Sequence, residues 1–195
     1  MSLQKWTPAN VASASPGRQV AVMLGITIRA TGETEAFWRL VDAVSVHETM
    51  PSMRQLGYPA HLTLTRYDRI AREALIAALA LFDDEPPFSL TFDAIETFDI
   101  DPLVLWLKPR AEPRLFQLHR RLNALLGEDR CDPHYRPDQW QRHCTLAIAV
   151  AAEHADAARH FARQAFAPFS LVFDAADALC WPPPVAIGTR VLVAR

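Results

Sequence analysis

The stretch Pro87-Phe88-Ser89-Leu90-Thr91-Phe92-Asp93-Ala94 recurs as Pro168-Phe169-Ser170-Leu171-Val172-Phe173-Asp174-Ala175. A repeat of this kind governs every other reading of a chain, because two similar segments fold in similar ways. Upstream of the first copy stands His61-Leu62-Thr63-Leu64, and upstream of the second His143-Cys144-Thr145-Leu146. His61 precedes Phe88 by 27 residues, and His143 precedes Phe169 by 26. Apolar runs open at Val20 and Leu103, 41 and 40 residues before the two histidines. Three landmarks in one order, each within a residue of register, mark an internal duplication. Repeat one covers about 20–98 and repeat two about 103–179, with a last strand at about 189–195.

Local patterns fill this frame. Val20 to Ile28 is apolar and β-branched and reads as a strand. Phe37, Leu40, Val41 and Val44 fall at helical spacing. His61 to Arg66 reads as a strand, and Asp68 as the cap of a helix carrying Ile70, Ala74, Ala77 and Leu81. Phe88 to Phe98 alternates with Phe88, Leu90 and Phe92 on one face. In the second repeat the strands are Leu103 to Leu107, His143 to Val150 and Phe169 to Ala178. Its helices carry Leu115, Leu118, Leu122 and Leu125, ended by Gly127, and then Ala158, Phe161, Ala162 and Ala165. Thr189 to Ala194 forms a last strand. Each half is β-α-β-α-β, so the expected class is α+β, with two pseudo-symmetric antiparallel-sheet lobes around a central cleft. Residues 1–18 are expected to form a flexible tail ahead of one bilobal domain over 19–195.

Composition narrows the class of function. With 20 Lys and Arg against 22 Asp and Glu, the net charge is −2. That balance lacks the cationic surface that long duplex nucleic acid requires. The three cysteines, Cys131, Cys144 and Cys180, are odd in number and not spaced as metal pairs. They are expected as free thiols in a reducing, cytoplasmic setting. The early apolar run is too short to span a bilayer, and the polar stretch from Gln4 to Gln19 ahead of it is no signal-peptide n-region, so no membrane partner is expected. A self-contained pair of lobes is expected to act as a monomer.

Along a strand, side chains alternate faces. His61, Thr63 and Thr65 therefore share one face against Leu62 and Leu64, and His143 and Thr145 share one against Cys144, Leu146 and Ile148. By the same parity Arg66 should point toward the helices, unless the strand bulges. Each half thus offers an imidazole beside a hydroxyl. Opening a cyclic phosphodiester needs a base for the attacking water and an acid for the leaving ribose oxygen, and histidine serves either purpose near neutrality. Threonine hydroxyls can donate to the non-bridging oxygens. No metal or other cofactor is needed for such a step.

The two His-x-Thr-Leu motifs, one per half of a duplicated frame, resemble those of the two-histidine phosphoesterase superfamily, in particular its 2′-5′ RNA ligase-like and RNA 2′,3′-cyclic phosphodiesterase branch. The likeness spans about Val20 to Arg195. It implies two similar lobes with the motifs lining the cleft, and hydrolysis of a 2′,3′-cyclic phosphate or a related 2′-linked phosphodiester. It implies His61 and His143 as the catalytic pair, Thr63 and Thr145 as phosphate-binding residues, and a first histidine acting as acid with the second as base. The implied partner is a nucleotide or a short RNA end. Basic residues frequent along such clefts are sparse here, and Ala147 stands where the first motif has Thr65.

Long loops precede both motif strands, His47 to Ala60 and Glu128 to Arg142, and a stiff Cys180-Trp181-Pro182-Pro183-Pro184 turn lies near the end. Their position makes Tyr58, His134, Tyr135 and Trp181 candidates for the cleft rim, with Trp140 a further aromatic able to stack on a base. Anchoring a loop is the commoner role of such aromatics. His119 reads as a flank of the core, and His47, His154 and His160 as surface residues. Two other readings remain at this level: a metal held between His61, His143 and a third ligand, His134 or a carboxylate, and a non-catalytic nucleotide- or RNA-end-binding module using the same cleft.

Overall fold

The computed structural model describes residues 22–49 and 51–193. The expected tail, the first residues of the opening strand and the last two residues lie outside that range.

Among the described residues, eight strands form two antiparallel sheets. In chain order they are β1 (Met23–Arg29), β2 (His61–Tyr67), β3 (Phe88–Phe98), β4 (Leu103–Pro109), β5 (Cys144–Val150), β6 (Phe169–Phe173), β7 (Ala175–Trp181) and β8 (Val185–Val191). The helices are α1 (Glu35–Ser45), α2 (Arg72–Ala78), α3 (Pro113–Leu126) and α4 (Ala155–Ala162). One sheet runs β2-β1-β7-β8 and the other β5-β4-β3-β6. The third strands cross over: β3 joins the sheet of the second motif, and of the corresponding run in repeat two β6 stays in that sheet while β7 joins the sheet of the first motif. The helices obey the same crossed symmetry, with α1 packed on β5 and α3 on β2. Helix α2 backs the first sheet and α4 the second.

The expected run from Phe169 to Ala178 is two strands. Its alternation is continuous, but Asp174 marks the passage from one sheet to the other. The Asp174 carboxylate accepts hydrogen bonds from the Thr31 backbone N–H and hydroxyl, and the Asp174 backbone N–H donates to the Arg29 carbonyl. The last strand also lies earlier than its sequence reading, at Val185–Val191.

Two helices turn differently from their periodicity. Asp68 does not cap α2, whose cap is Ala71 without a side-chain bond. The buried face of α2 and the 3-10 turn after it is Leu75, Ala78, Leu79 and Phe82, while Ala77 is exposed. In α3, Leu126 replaces Leu125 on the buried side, and Leu125 is 57% exposed. Gly127 ends α3 as expected, at φ 89° with its N–H bonded to the Asn123 carbonyl. Phe88, Leu90 and Phe92 are buried, the two rings packing with Phe173. Leu62, Leu64, Cys144 and Leu146 are fully buried behind the motifs. At about 1.5–3 kcal/mol for each large aliphatic side chain, this burial fixes which faces the motif strands turn inward. Among the described residues, no helix is long and apolar enough to cross a membrane.

Candidate active site

The two motif strands meet at a cleft between the sheets. A cavity of about 200 Å³ is lined by His61, Thr63, His143 and Thr145 together, with Tyr58, Tyr135 and Trp181 from the candidate rim. His134 is not brought to it. That side chain is exposed, and its Nδ1 lies 3.1 Å from the Asp132 carboxylate. Trp140 is also elsewhere: its ring stacks on His119 at 3.8 Å and its Nε1 donates to the Thr63 carbonyl at 3.1 Å.

Both imidazoles are held alike. His61 Nδ1 lies 2.8 Å from the Pro59 carbonyl, and His143 Nδ1 lies 2.7 Å from the Gln141 carbonyl. A carbonyl only accepts, so Nδ1 carries the hydrogen in each ring, and Nε2 is the nitrogen left for chemistry. Burial disfavours the charged form of both rings. It lowers His61, against the opposing influences of the Pro59 carbonyl and Asp177. Burial first, and the nearness of His61 with it, lower His143 to about 4 against the opposing influence of the Gln141 carbonyl. The Cys144 thiol lies against the His61 backbone and is pushed up to about 12 by burial.

Strand parity fails beyond the threonines, in the same way in both repeats. Ile26 pairs with Thr65 and Thr27 with Thr63, so Leu64 is an extra residue in β2. Leu105 pairs with Ala147 and Trp106 with Thr145, so Leu146 is the extra residue in β5. Each bulge reverses the faces that follow. Thr65 therefore turns inward, fully buried, where its hydroxyl accepts the Ile26 N–H at 3.3 Å. Arg66 and Ile148, expected on the helix side, line the cleft instead. They occupy equivalent places in the two repeats. Arg66 is also 3.3 Å from Asp132, and it is the only Lys or Arg among the described residues of the lining.

The sequence reading did not join several other residues of the site. Asp177 is 1% exposed, and its Oδ2 accepts from Arg29 Nε at 2.6 Å and from the Tyr58 hydroxyl at 2.7 Å. Its Oδ1 accepts from the Thr189 hydroxyl at 2.7 Å. With its hydrogen given to Asp177, the Tyr58 oxygen accepts from Thr27 at 2.8 Å. Met23, Met53, Leu56 and Leu179 give the cleft an apolar floor. A buried carboxylate on one strand and a tyrosine in a distant loop could not be joined from sequence. The mark that could have been read is Asp177 itself, a charge inside an alanine- and leucine-rich strand. Among the described residues, no three His, Cys, Asp or Glu side chains are grouped to hold a metal ion.

The profile of the 2′-5′ RNA ligase superfamily matches residues 35–180. No curated protein sequence matches the chain. Among solved structures, Escherichia coli LigT complexed with 3′-AMP is similar at 18% identity and a TM-score of 0.55, covering 88% of this chain and 97% of that one. A structure described as a phosphoesterase is similar at 19% identity and a TM-score of 0.54, covering 88% and 98%. TT0787 of Thermus thermophilus is similar at 18% identity and a TM-score of 0.58, covering 87% and 97%. At such identities these likenesses speak for the fold, while the profile match over most of the chain carries the family: this protein belongs to the 2′-5′ RNA ligase superfamily.

Proposed function

We propose that this chain is a phosphodiesterase that opens the 2′,3′-cyclic phosphate of a nucleotide or short RNA end by acid–base catalysis between His61 and His143. The observation that carries this reading is the matched pair of imidazoles in one cleft, each with Nδ1 tied to a carbonyl and Nε2 left for proton transfer. In the forward step, His143 Nε2 takes a proton from water as its oxygen bonds to phosphorus. His61 Nε2 gives a proton to the ribose oxygen as its bond to phosphorus breaks, leaving a monoester. Thr63 and Thr145 donate to the non-bridging oxygens, and Arg66 offsets the negative charge gathering there. No metal takes part. Trp181 and Tyr135 line the cleft, which supports a role for either ring in stacking on a base, and a nucleotide is the ligand class seen with LigT. We place the reaction in the cytoplasm, carried out by a monomer.

The test is turnover of 2′,3′-cyclic nucleotides and short cyclic-phosphate RNA ends in excess chelator, with wild type, His61→Ala and His143→Ala side by side. Each substitution is expected to cost about 10²- to 10⁴-fold, the usual worth of a positioned acid or base. The product isomer identifies the ribose oxygen that leaves. Wild-type protein inert on every cyclic phosphate, while still binding nucleotide, would replace this reading with that of a binding module.

A further inference from the structure

The two halves are alike at the histidines and unlike beneath them. Thr27 lies opposite Thr63 on one side and Asp177 on the other. Trp106 lies opposite Thr145 on one side and Glu96 on the other. Thr27 is therefore equivalent to Trp106, and Asp177 to Glu96. Arg29 and Lys108 are equivalent in their strands, and each pairs with the acid of its own sheet at 2.6 Å. The surroundings of these two ion pairs are opposite. The Asp177 side chain is 2% exposed, whereas Glu96 is 38% exposed and Lys108 42%.

The small Thr27 leaves room for Tyr58 to lie edge-to-face against His61 at 4.8 Å while its hydroxyl reaches Asp177. At the position equivalent to Thr27 the other sheet carries the large, buried Trp106 indole. His143 is surrounded by the rings of Phe98 at 5.2 Å, Trp106 at 6.1 Å and Tyr135 at 6.3 Å. One histidine thus stands over a carboxylate network and the other in an aromatic cage.

Resting on the acid–base reading above, we propose that Asp177, acting through Tyr58, is the positioning residue that commits His61 to carry the proton and so sets the direction of an otherwise symmetric pair. A carboxylate behind an imidazole favours the imidazolium. Burial with no carboxylate behind the ring favours the neutral base. The charged and titratable groups around His61 are Asp177 on β7, Tyr58 in the loop before β2, Arg29 on β1, Arg66 on β2, His143 across the cleft, and the buried Cys144 thiol against the His61 backbone. Of these, Asp177 alone is anionic. Asp177 touches neither substrate nor reacting atoms, since Tyr58 stands between.

The experiment is an NMR titration of the histidine rings in the full-length protein, for wild type, Asp177→Asn and Tyr58→Phe. Turnover of a 2′,3′-cyclic nucleotide and of a nitrophenyl phosphodiester is measured in parallel. The nitrophenolate leaves without a proton, so it does not need His61 as an acid. In Asp177→Asn the His61 midpoint is expected to fall by about one pH unit, the low end of what an adjacent opposite charge supplies, while that of His143 stays in place. Tyr58→Phe keeps the ring and removes the hydroxyl, with its bonds to Asp177 and Thr27, and it should shift His61 the same way by less. Cyclic-phosphate turnover should drop about tenfold in Asp177→Asn while the nitrophenyl ester changes much less. A merely structural role would depress both substrates together. An unmoved His61 midpoint in folded Tyr58→Phe, and in Asp177→Asn where that variant folds, overturns the proposal. An inert wild-type enzyme would defeat the phosphodiesterase reading instead, and the titration would still decide this one.

Discussion

Gly25 lies on β1 opposite Arg66, beside the bulge that turns Arg66 into the cleft. A Cβ built on Gly25 would sit 2.1 Å from the Thr65 backbone carbonyl oxygen and 3.0 Å from the Trp181 ring. The first contact is about 1 Å inside what non-bonded carbon and oxygen tolerate, and the atom met is main chain, which cannot swing away as a side chain can. Gly25→Ala must therefore push β2 off β1 at the bulge. Overpacking of this kind costs about 1–3 kcal/mol, and a backbone obstacle places it at the upper end. Separating the strands also strains the bond from the Ile26 N–H to the Thr65 hydroxyl, whose loss leaves a buried donor unpaired at a further cost of about 1–3 kcal/mol. For a chain of this length each kcal/mol lowers the melting temperature by about 2–4 °C, so a fall of about 6 °C or more is expected. Thermal and urea denaturation of Gly25→Ala, with Thr65→Val and Thr65→Ser beside it, measures this. Thr65→Val should lose the hydroxyl's share alone, and Thr65→Ser should retain most of it. A Gly25→Ala protein that melts within a degree of wild type would refute the account of the bulge, and with it the reason Arg66 faces the cleft.

Two further predictions concern pH. Both cleft histidines are pushed below their ordinary value of about 6.5 by burial, so the free enzyme's kcat/KM for a cyclic mononucleotide should peak on the acid side of 6.5. A maximum above pH 7 contradicts the burial of the pair. Glu48 is the opposite case: burial pushes its carboxyl up from 4.5 to about 7. A carboxyl raised in the fold contributes stability below its unfolded pKa and loses it as pH climbs through the folded value. Glu48→Gln keeps an acceptor for the Ile148 N–H, which now bonds Oε1 at 2.8 Å. Relative to wild type, this variant should be more stable at pH 8 than at pH 5, read as the difference in denaturation midpoints. Equal differences at the two pH values count against a buried protonated Glu48.

Much of this protein is written in local pattern. The duplication is visible because the two Pro-Phe-Ser-Leu segments and the two His-x-Thr-Leu tetrapeptides keep register. The faces of His61, Thr63, His143 and Thr145 follow from a strand period of two and from the apolar residues between them, and burial of Leu62, Leu64, Cys144 and Leu146 enforces them. Gly127 ends its helix because only a residue without a Cβ takes that backbone turn at low cost. Helix phase was less legible where small residues surround the stripe, as the exposure of Ala77 in α2 shows, since alanine is content on either face.

What the chain alone could not decide depends on contacts between distant segments. The break at Asp174 is invisible in an alternating pattern, because both strands alternate; it arises where a hydrogen-bond ladder with β3 gives way to one with β1. The bulges at Leu64 and Leu146 come from the fit of one strand to its neighbour, and a single extra residue is enough to exchange Thr65 for Arg66 in the cleft. The network beneath His61 joins Thr27, Tyr58 and Asp177, residues 31 and 119 positions apart along its two central hydrogen bonds. The sequence determined that two histidine–threonine pairs exist and that their strands bury apolar backs. Only the exchange of strands between sheets decided that the pairs share a cleft, which side of it carries the positive charge, and which imidazole stands over a carboxylate, because these are properties of register and close approach between elements rather than of any one element.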